Sequence, residues 1–159
     1  MPHDDAQFMR LAIDACRRGI EAGQSPFGAV IVSPAGDVVS VEHNVVWRTT
    51  DPTAHAEVAA IRAACGTLRT IDLTGHTIYS TTEPCPMCFA AIHWAKLARI
   101  VYGASIADAQ SAGFSELTIS NTQMRRIGGS PVEIAGGVLA AESAALFAEW
   151  LARVDRRVY

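Results

Sequence analysis

Apolar side chains recur at three- and four-residue spacing through residues 4–22, where Phe8, Leu11, Ala12, Ala15, Cys16, Gly19 and Ile20 share one face. That is the period of an amphipathic helix, and Gly23 supplies its stop. The pattern then changes. Residues 29–33, Ala-Val-Ile-Val-Ser, read as a buried strand. Pro34-Ala35-Gly36-Asp37 is a turn, and residues 38–45 read as a second strand, which predicts an antiparallel hairpin. Asp51-Pro52 suits a helix start, so a second helix is expected over residues 53–65. Residues 77–82 and 99–104 read as strands, with a helix over 84–95 between them. Strand, helix, strand, helix, strand is the pattern of a parallel layer with crossover helices. Beyond Ser105 the signal weakens to a short strand at 132–135 and a helix over 140–154, whose Leu139, Ser143, Leu146, Phe147, Trp150, Leu151 and Val154 lie on one side.

The chain has 159 residues, 50% of them hydrophobic and 18% charged, which excludes a disordered chain and gives enough length for a full core without disulfide staples. No repeat or linker divides it, so residues 1–159 are expected to form one domain. The net charge of −3 argues against a strongly basic nucleic-acid binder. No stretch approaches the ~20 apolar residues of a membrane helix. The first residues carry no basic segment followed by an apolar run, so no secretory signal is expected. The four cysteines then read as reduced thiols in a cytoplasmic protein.

Cys85 and Cys88 form a C-x-x-C pair at the start of a predicted helix, where i and i+3 point to one side and the free N–H groups favour thiolate. Two thiolates and the imidazole of His55 make three ligands suited to zinc, and three protein ligands leave an open fourth position. Glu57, two residues after His55, is badly placed to bind the same ion but well placed to move protons. A metal lowers the pKa of its water from 15.7 to about 7, so hydroxide becomes available at neutral pH. The order H-x-E followed by P-C-x-x-C is the signature of zinc nucleobase deaminases. A closed structural zinc site is the competing reading. It needs a fourth donor, and the obvious ones fit poorly. Cys16 lies on an apolar helix face, Cys65 precedes Gly66, and His93 falls about 140° around an ideal helix from Cys88.

The chain resembles the cytidine deaminase superfamily, and most of all its bacterial guanine deaminase branch. The resemblance rests on Pro26-Phe27-Gly28-Ala29-Val30-Ile31-Val32, Asn44, residues 51–58 around His55-Ala56-Glu57, and Glu83-Pro84-Cys85-Pro86-Met87-Cys88. Ala91-Ile92-His93-Trp94-Ala95, Ala112-Gly113-Phe114 and the terminal Tyr159 extend it. Phe27, Pro86 and Trp94 separate it from the tRNA adenosine deaminases that share the fold. One departure is Glu116, where the branch often has aspartate.

The resemblance implies an α/β/α sandwich with a mixed five-stranded sheet. It implies one Zn2+ per subunit on His55, Cys85 and Cys88, and a homodimer whose C-terminal tail crosses to the partner's pocket. The implied reaction is hydrolytic deamination of guanine, with Glu57 as proton shuttle and Glu116 as a second catalytic carboxylate. Phe27, Asn44, Ala56, Trp94, Phe114 and Tyr159 are the expected contacts to a small nucleobase. Guanosine, ammeline or another aminotriazine, and cytosine remain alternative substrates. A tRNA adenosine deaminase and a non-catalytic zinc module are the more distant readings.

Overall fold

The computed structural model describes residues 4–159, and no helix among them is long and apolar enough to cross a membrane. Helix α1 (Asp5–Glu21) is capped by Asp4, whose carboxylate accepts from the Ala6 and Gln7 amides. Strands β1 (Gly28–Val32) and β2 (Val38–His43) form the expected antiparallel hairpin. Then come α2 (Val46–Thr49), α3 (Ala56–Leu68), β3 (Thr77–Thr82), α4 (Pro86–Trp94) and β4 (Arg99–Ala104). The chain ends with α5 (Ile106–Ser111), α6 (Asn121–Gly128), β5 (Glu133–Ala135) and α7 (Ala140–Leu151).

The five strands run in the order β2-β1-β3-β4-β5. β1 pairs antiparallel with β2 and β3, while β3–β4 and β4–β5 are parallel, so the sheet is mixed as expected. Alternation along β1 divides the core. Val30 and Val32 pack with Met9, Ile13, Leu146 and Trp150 under α1 and α7, whereas Ala29 and Ile31 pack with Ala60, Ala64, Phe89 and Ile92 under α3 and α4. Two helical layers therefore enclose the sheet. α1 lies so close to β1 that a Cβ at Gly28 would collide with the Ala12 carbonyl oxygen and come within 2.8 Å of the Cys16 nitrogen. The start of α1 is tied across the sheet by a bidentate Arg99–Asp5 pair at 2.7 and 2.9 Å, with Tyr79 Oη donating to Asp5 at 3.0 Å.

Some boundaries move, for local reasons. α3 begins at Ala56 rather than at residue 53, because Asp51 accepts from the Thr53 amide and hydroxyl at 2.8 and 2.6 Å and closes a turn there instead of capping the helix. α4 starts at Pro86 rather than 84, α7 stops at Leu151 rather than 154, and β2 ends at His43 rather than 45. The short helices α2, α5 and α6 were not expected.

Candidate active site

Both ligand-bearing segments enter a helix at the same point of its geometry. His55 is the N-cap of α3 and Cys85 the N-cap of α4, each with extended backbone and no side-chain capping bond. Two helix N-termini thus converge on the site, and their positive ends favour anionic groups. His55 Nδ1 lies 3.6 Å from Cys85 Sγ and 3.5 Å from Cys88 Sγ. Among the described residues this is the one cluster of three His, Cys or acidic side chains spaced to hold a metal ion, with donor atoms within 4.8 Å of one another. The donor set fits zinc, and among the described residues no fourth ligand closes it.

The two thiols are not equivalent. The Cys85 thiol is lowered to about 4 by the hydrogen bond from Cys88, against the effect of burial and with help from His55. The Cys88 thiol is pushed up by that same bond, by its burial and by the Glu57 charge. Burial disfavours charge on His55, yet its bond to Cys85 and the nearby Glu57 carboxylate outweigh that and raise its pKa.

Glu57 is buried, in the first turn of α3, with Oε2 3.5 Å from Cys88 Sγ. Burial raises its pKa and the Cys85 charge adds to this, with His55 opposing. Its other oxygen lies 3.1 Å from Ser80 Oγ, which is also 2.6 Å from the Thr82 carbonyl. That serine partners the carboxyl in either protonation state, because a hydroxyl both donates and accepts.

Above the ligands is a cavity of about 200 Å3 lined by Phe27, His55, Glu57, Cys85, Phe114, Glu116 and Tyr159, among others. Glu116 is raised to about 7 by partial burial first and by the Cys85 and Glu57 charges next. Three glutamates, Glu57, Glu83 and Glu116, face this space, and its lining contains no lysine or arginine. Phe27 and Phe114 meet edge to face with centroids 5.0 Å apart, and the Tyr159 ring lies 5.5 Å from Phe114 and 5.8 Å from His55.

Three expected contacts lie elsewhere. Trp94 is 81% exposed at the end of α4 and borders a separate groove with His93, Lys96 and Pro131, so it does not reach this chain's cavity. Its helix runs away from the metal ligands, which occupy the opposite end. Asn44 is fully buried beside the cavity rather than in its wall: Nδ2 donates to Tyr159 Oη at 2.7 Å and Oδ1 accepts from the Val46 amide at 3.1 Å. Ala56 is buried at the first position of α3 and is likewise no part of the wall.

The tail closes over the cavity of its own chain. Arg157 stacks its guanidinium 4.3 Å above the Trp47 ring, whose Nε1 donates to the Arg157 carbonyl at 3.3 Å. Sequence reasoning missed Trp47, Ser80 and Glu83. Ser80 had a signal: β3 is Thr-Ile-Tyr-Ser-Thr-Thr, too rich in hydroxyls for a strand buried along its whole length.

The family model for the cytidine and deoxycytidylate deaminase zinc-binding region matches residues 2–104. Guanine deaminase of Bacillus subtilis is 44% identical over 110 residues, 69% of this chain and 70% of that protein. The tRNA-specific adenosine deaminase of Haemophilus influenzae is 33% identical over 138 residues, 87% of this chain and 78% of that one. Among solved structures, guanine deaminase from Nitrosomonas europaea superposes with a TM-score of 0.87 at 25% identity, covering 96% of this chain and 87% of the other. Fold and site together define a zinc-dependent hydrolase that acts on C–N bonds in cyclic amidines. The chain belongs to the cytidine and deoxycytidylate deaminase family.

Proposed function

We propose that this enzyme hydrolyses guanine to xanthine and ammonia. The observation that carries the reading is the small, acid-lined, tail-capped cavity. At about 200 Å3 it falls below the roughly 300–1,000 Å3 usual for drug-sized ligands, which suits a bare base. Guanine presents N–H donors along its amidine edge, and carboxyls are the matching acceptors. The cavity lining offers three glutamates and no lysine or arginine to an anionic ligand, although tRNA adenosine deaminases are also among the relatives.

His55, Cys85 and Cys88 would hold the zinc, which when bound supplies a Lewis acid and a hydroxide nucleophile at neutral pH. Phe27 and Phe114 confine the flat ring. Tyr159 excludes water from the mouth and blocks the space a sugar would need. Asn44 fixes the Tyr159 hydroxyl and so acts on the mouth of the cavity through the tail. Glu57 collects the proton of the attacking water and hands it to the ring nitrogen beside the attacked carbon. Glu116, able to hold a proton near neutral pH, delivers one to the amino group, which departs as ammonia. Water adds to the carbon, the C–N bond breaks, and the hydroxyl proton left on that carbon returns to Glu116, so guanine plus water gives xanthine plus ammonia. A homodimer with exchanged tails would place Tyr159 in an equivalent cavity, so the chemistry is the same in either arrangement.

The test is ammonia release by zinc-loaded protein from guanine, guanosine, ammeline, cytosine, cytidine, adenosine and a tRNA anticodon stem-loop. Turnover of guanine well above the others is the expected result. Preference for the stem-loop or a nucleoside would overturn the base-sized reading.

A further inference from the structure

The chain between α5 and α6 crosses the cavity, where its Phe114, Ser115, Glu116 and Leu117 form part of the wall. From Phe114 to Ser120 it belongs to no helix or strand. Its own backbone bonds are short-range, Glu116 N to Phe114 O and Ile119 N to Leu117 O, both 2.9 Å, with Ser115 N reaching the Tyr159 carbonyl at 3.3 Å. Such a crossing is fixed by its ends. At α5 the Phe114 amide donates to Ala109 O at 3.3 Å. At α6 the anchor is Asn121. Its backbone N donates to Glu83 Oε2 at 2.9 Å, and its side-chain Nδ2 donates to the Pro84 carbonyl at 2.6 Å.

Glu83 and Pro84 are the two residues immediately before Cys85, and Glu83 is itself bound to the end of β4 through its amide and Ala104 O at 2.8 Å. One residue thus joins the crossing segment to the metal-ligand loop by two bonds. Asn121 is wholly buried. A buried residue with two bonds to the segment that carries Cys85 has little freedom to move.

We propose that Asn121 and Glu83 form a latch that positions Glu116 relative to the metal-ligand loop. The inference rests on the reading that Glu116 works on the substrate. Asn121 belongs neither to the cavity wall nor to the metal-ligand cluster; it acts as a positioning residue, through the span from 116 to 121. A misplacement of about 1 Å from a change away from the chemistry can cost about 10²-fold in rate.

The experiment is a double-mutant cycle on the zinc-loaded enzyme: Asn121→Ala, Glu116→Gln and both together, with kcat, KM and bound zinc measured for each. Asn121→Ala is expected to lower kcat for guanine by about 10–10²-fold, with zinc at the wild-type level. In the Glu116→Gln background the same change should do little more, because the group it positions is already disabled. Fully multiplicative losses would overturn the latch while leaving the role of Glu116 intact. Loss of zinc in parallel with activity would also overturn it, since Asn121 would then be supporting Cys85. Unchanged activity in Glu116→Gln alone overturns the reading beneath it, and the latch with that reading. Asn121→Ala removes the bond to the Pro84 carbonyl and keeps the backbone bond to Glu83; Asn121→Asp, which removes the Nδ2 donor and keeps the size of the side chain, gives the same cycle if Asn121→Ala does not fold.

Discussion

Removing the Tyr159 side chain should open the mouth of the cavity, by an amount that can be worked from the contacts. The phenol makes one hydrogen bond, with Asn44 Nδ2 at 2.7 Å, worth about 1 kcal/mol net. Its ring meets Phe114 at 5.5 Å and Trp47 at 6.2 Å, and aromatic pairs contribute about 0.5–1.5 kcal/mol each. The ring is half-buried, so the low end applies, and the total is about 2 kcal/mol. Tyr159→Ala should therefore shift the closed tail towards open by roughly 30-fold, and Tyr159→Phe, which loses only the hydroxyl, by roughly 5-fold. Because closure confines the base before chemistry, the change should appear first in KM for guanine. An open mouth also has room for a sugar, so the guanosine-to-guanine ratio of kcat/KM should rise in the alanine variant. Steady-state ammonia release with both substrates measures each quantity. A Tyr159→Ala enzyme with unchanged KM and unchanged discrimination would show that the tail is not the wall of the pocket.

Glu57→Gln keeps the shape of the buried side chain and its neighbour Ser80 but cannot carry a proton between water and ring. Turnover should fall by about 10²–10⁴-fold, with metal content by elemental analysis unchanged. Near-normal turnover would remove Glu57 from the mechanism. For Glu116 the pH dependence has a definite sign. Its folded-state pKa, about 7, lies above its ordinary 4.5, so the folded chain binds the extra proton and stability falls as pH rises between those values. Metal-free Glu116→Gln should therefore melt higher than metal-free wild type at pH above about 7, with the gap shrinking below the ordinary pKa. A gap of equal size at both ends would mean that the carboxyl is not held up by its surroundings.

The metal ligands were legible because zinc chemistry fixes residue types, and the helix-start position fixes spacing. His55, Glu57, Cys85 and Cys88 fall together as their motif requires. The strands of the central sheet were equally clear, since β3 and β4 appear with the expected limits. The second half was harder. α5 and α6 are too short for apolar periodicity to show. Each nevertheless opens with a capping box, Ser105 with Asp108 and Ser120 with Gln123, and the Ser120-x-x-Gln123 pattern was a readable signal. Trp94 marks a different limit: sequence likeness carries an aromatic residue to a position without saying which surface it faces, and here it faces outward. Asn44 is near the cavity as expected, but its amide is already engaged by the tail, a contact across 115 positions that no local pattern encodes.

The match to the family ends at Ala104, the last residue of β4, and every wall of the cavity contributed by Phe114, Glu116, Leu117 and Tyr159 lies after it. The chain therefore separates its labour by position. The first two-thirds carries every residue of the metal cluster, and the last third adds Phe114, Glu116, Leu117 and Tyr159 to a wall that Phe27 and Glu57 begin. A change in the last third can therefore reshape the cavity wall while leaving His55, Cys85 and Cys88 untouched.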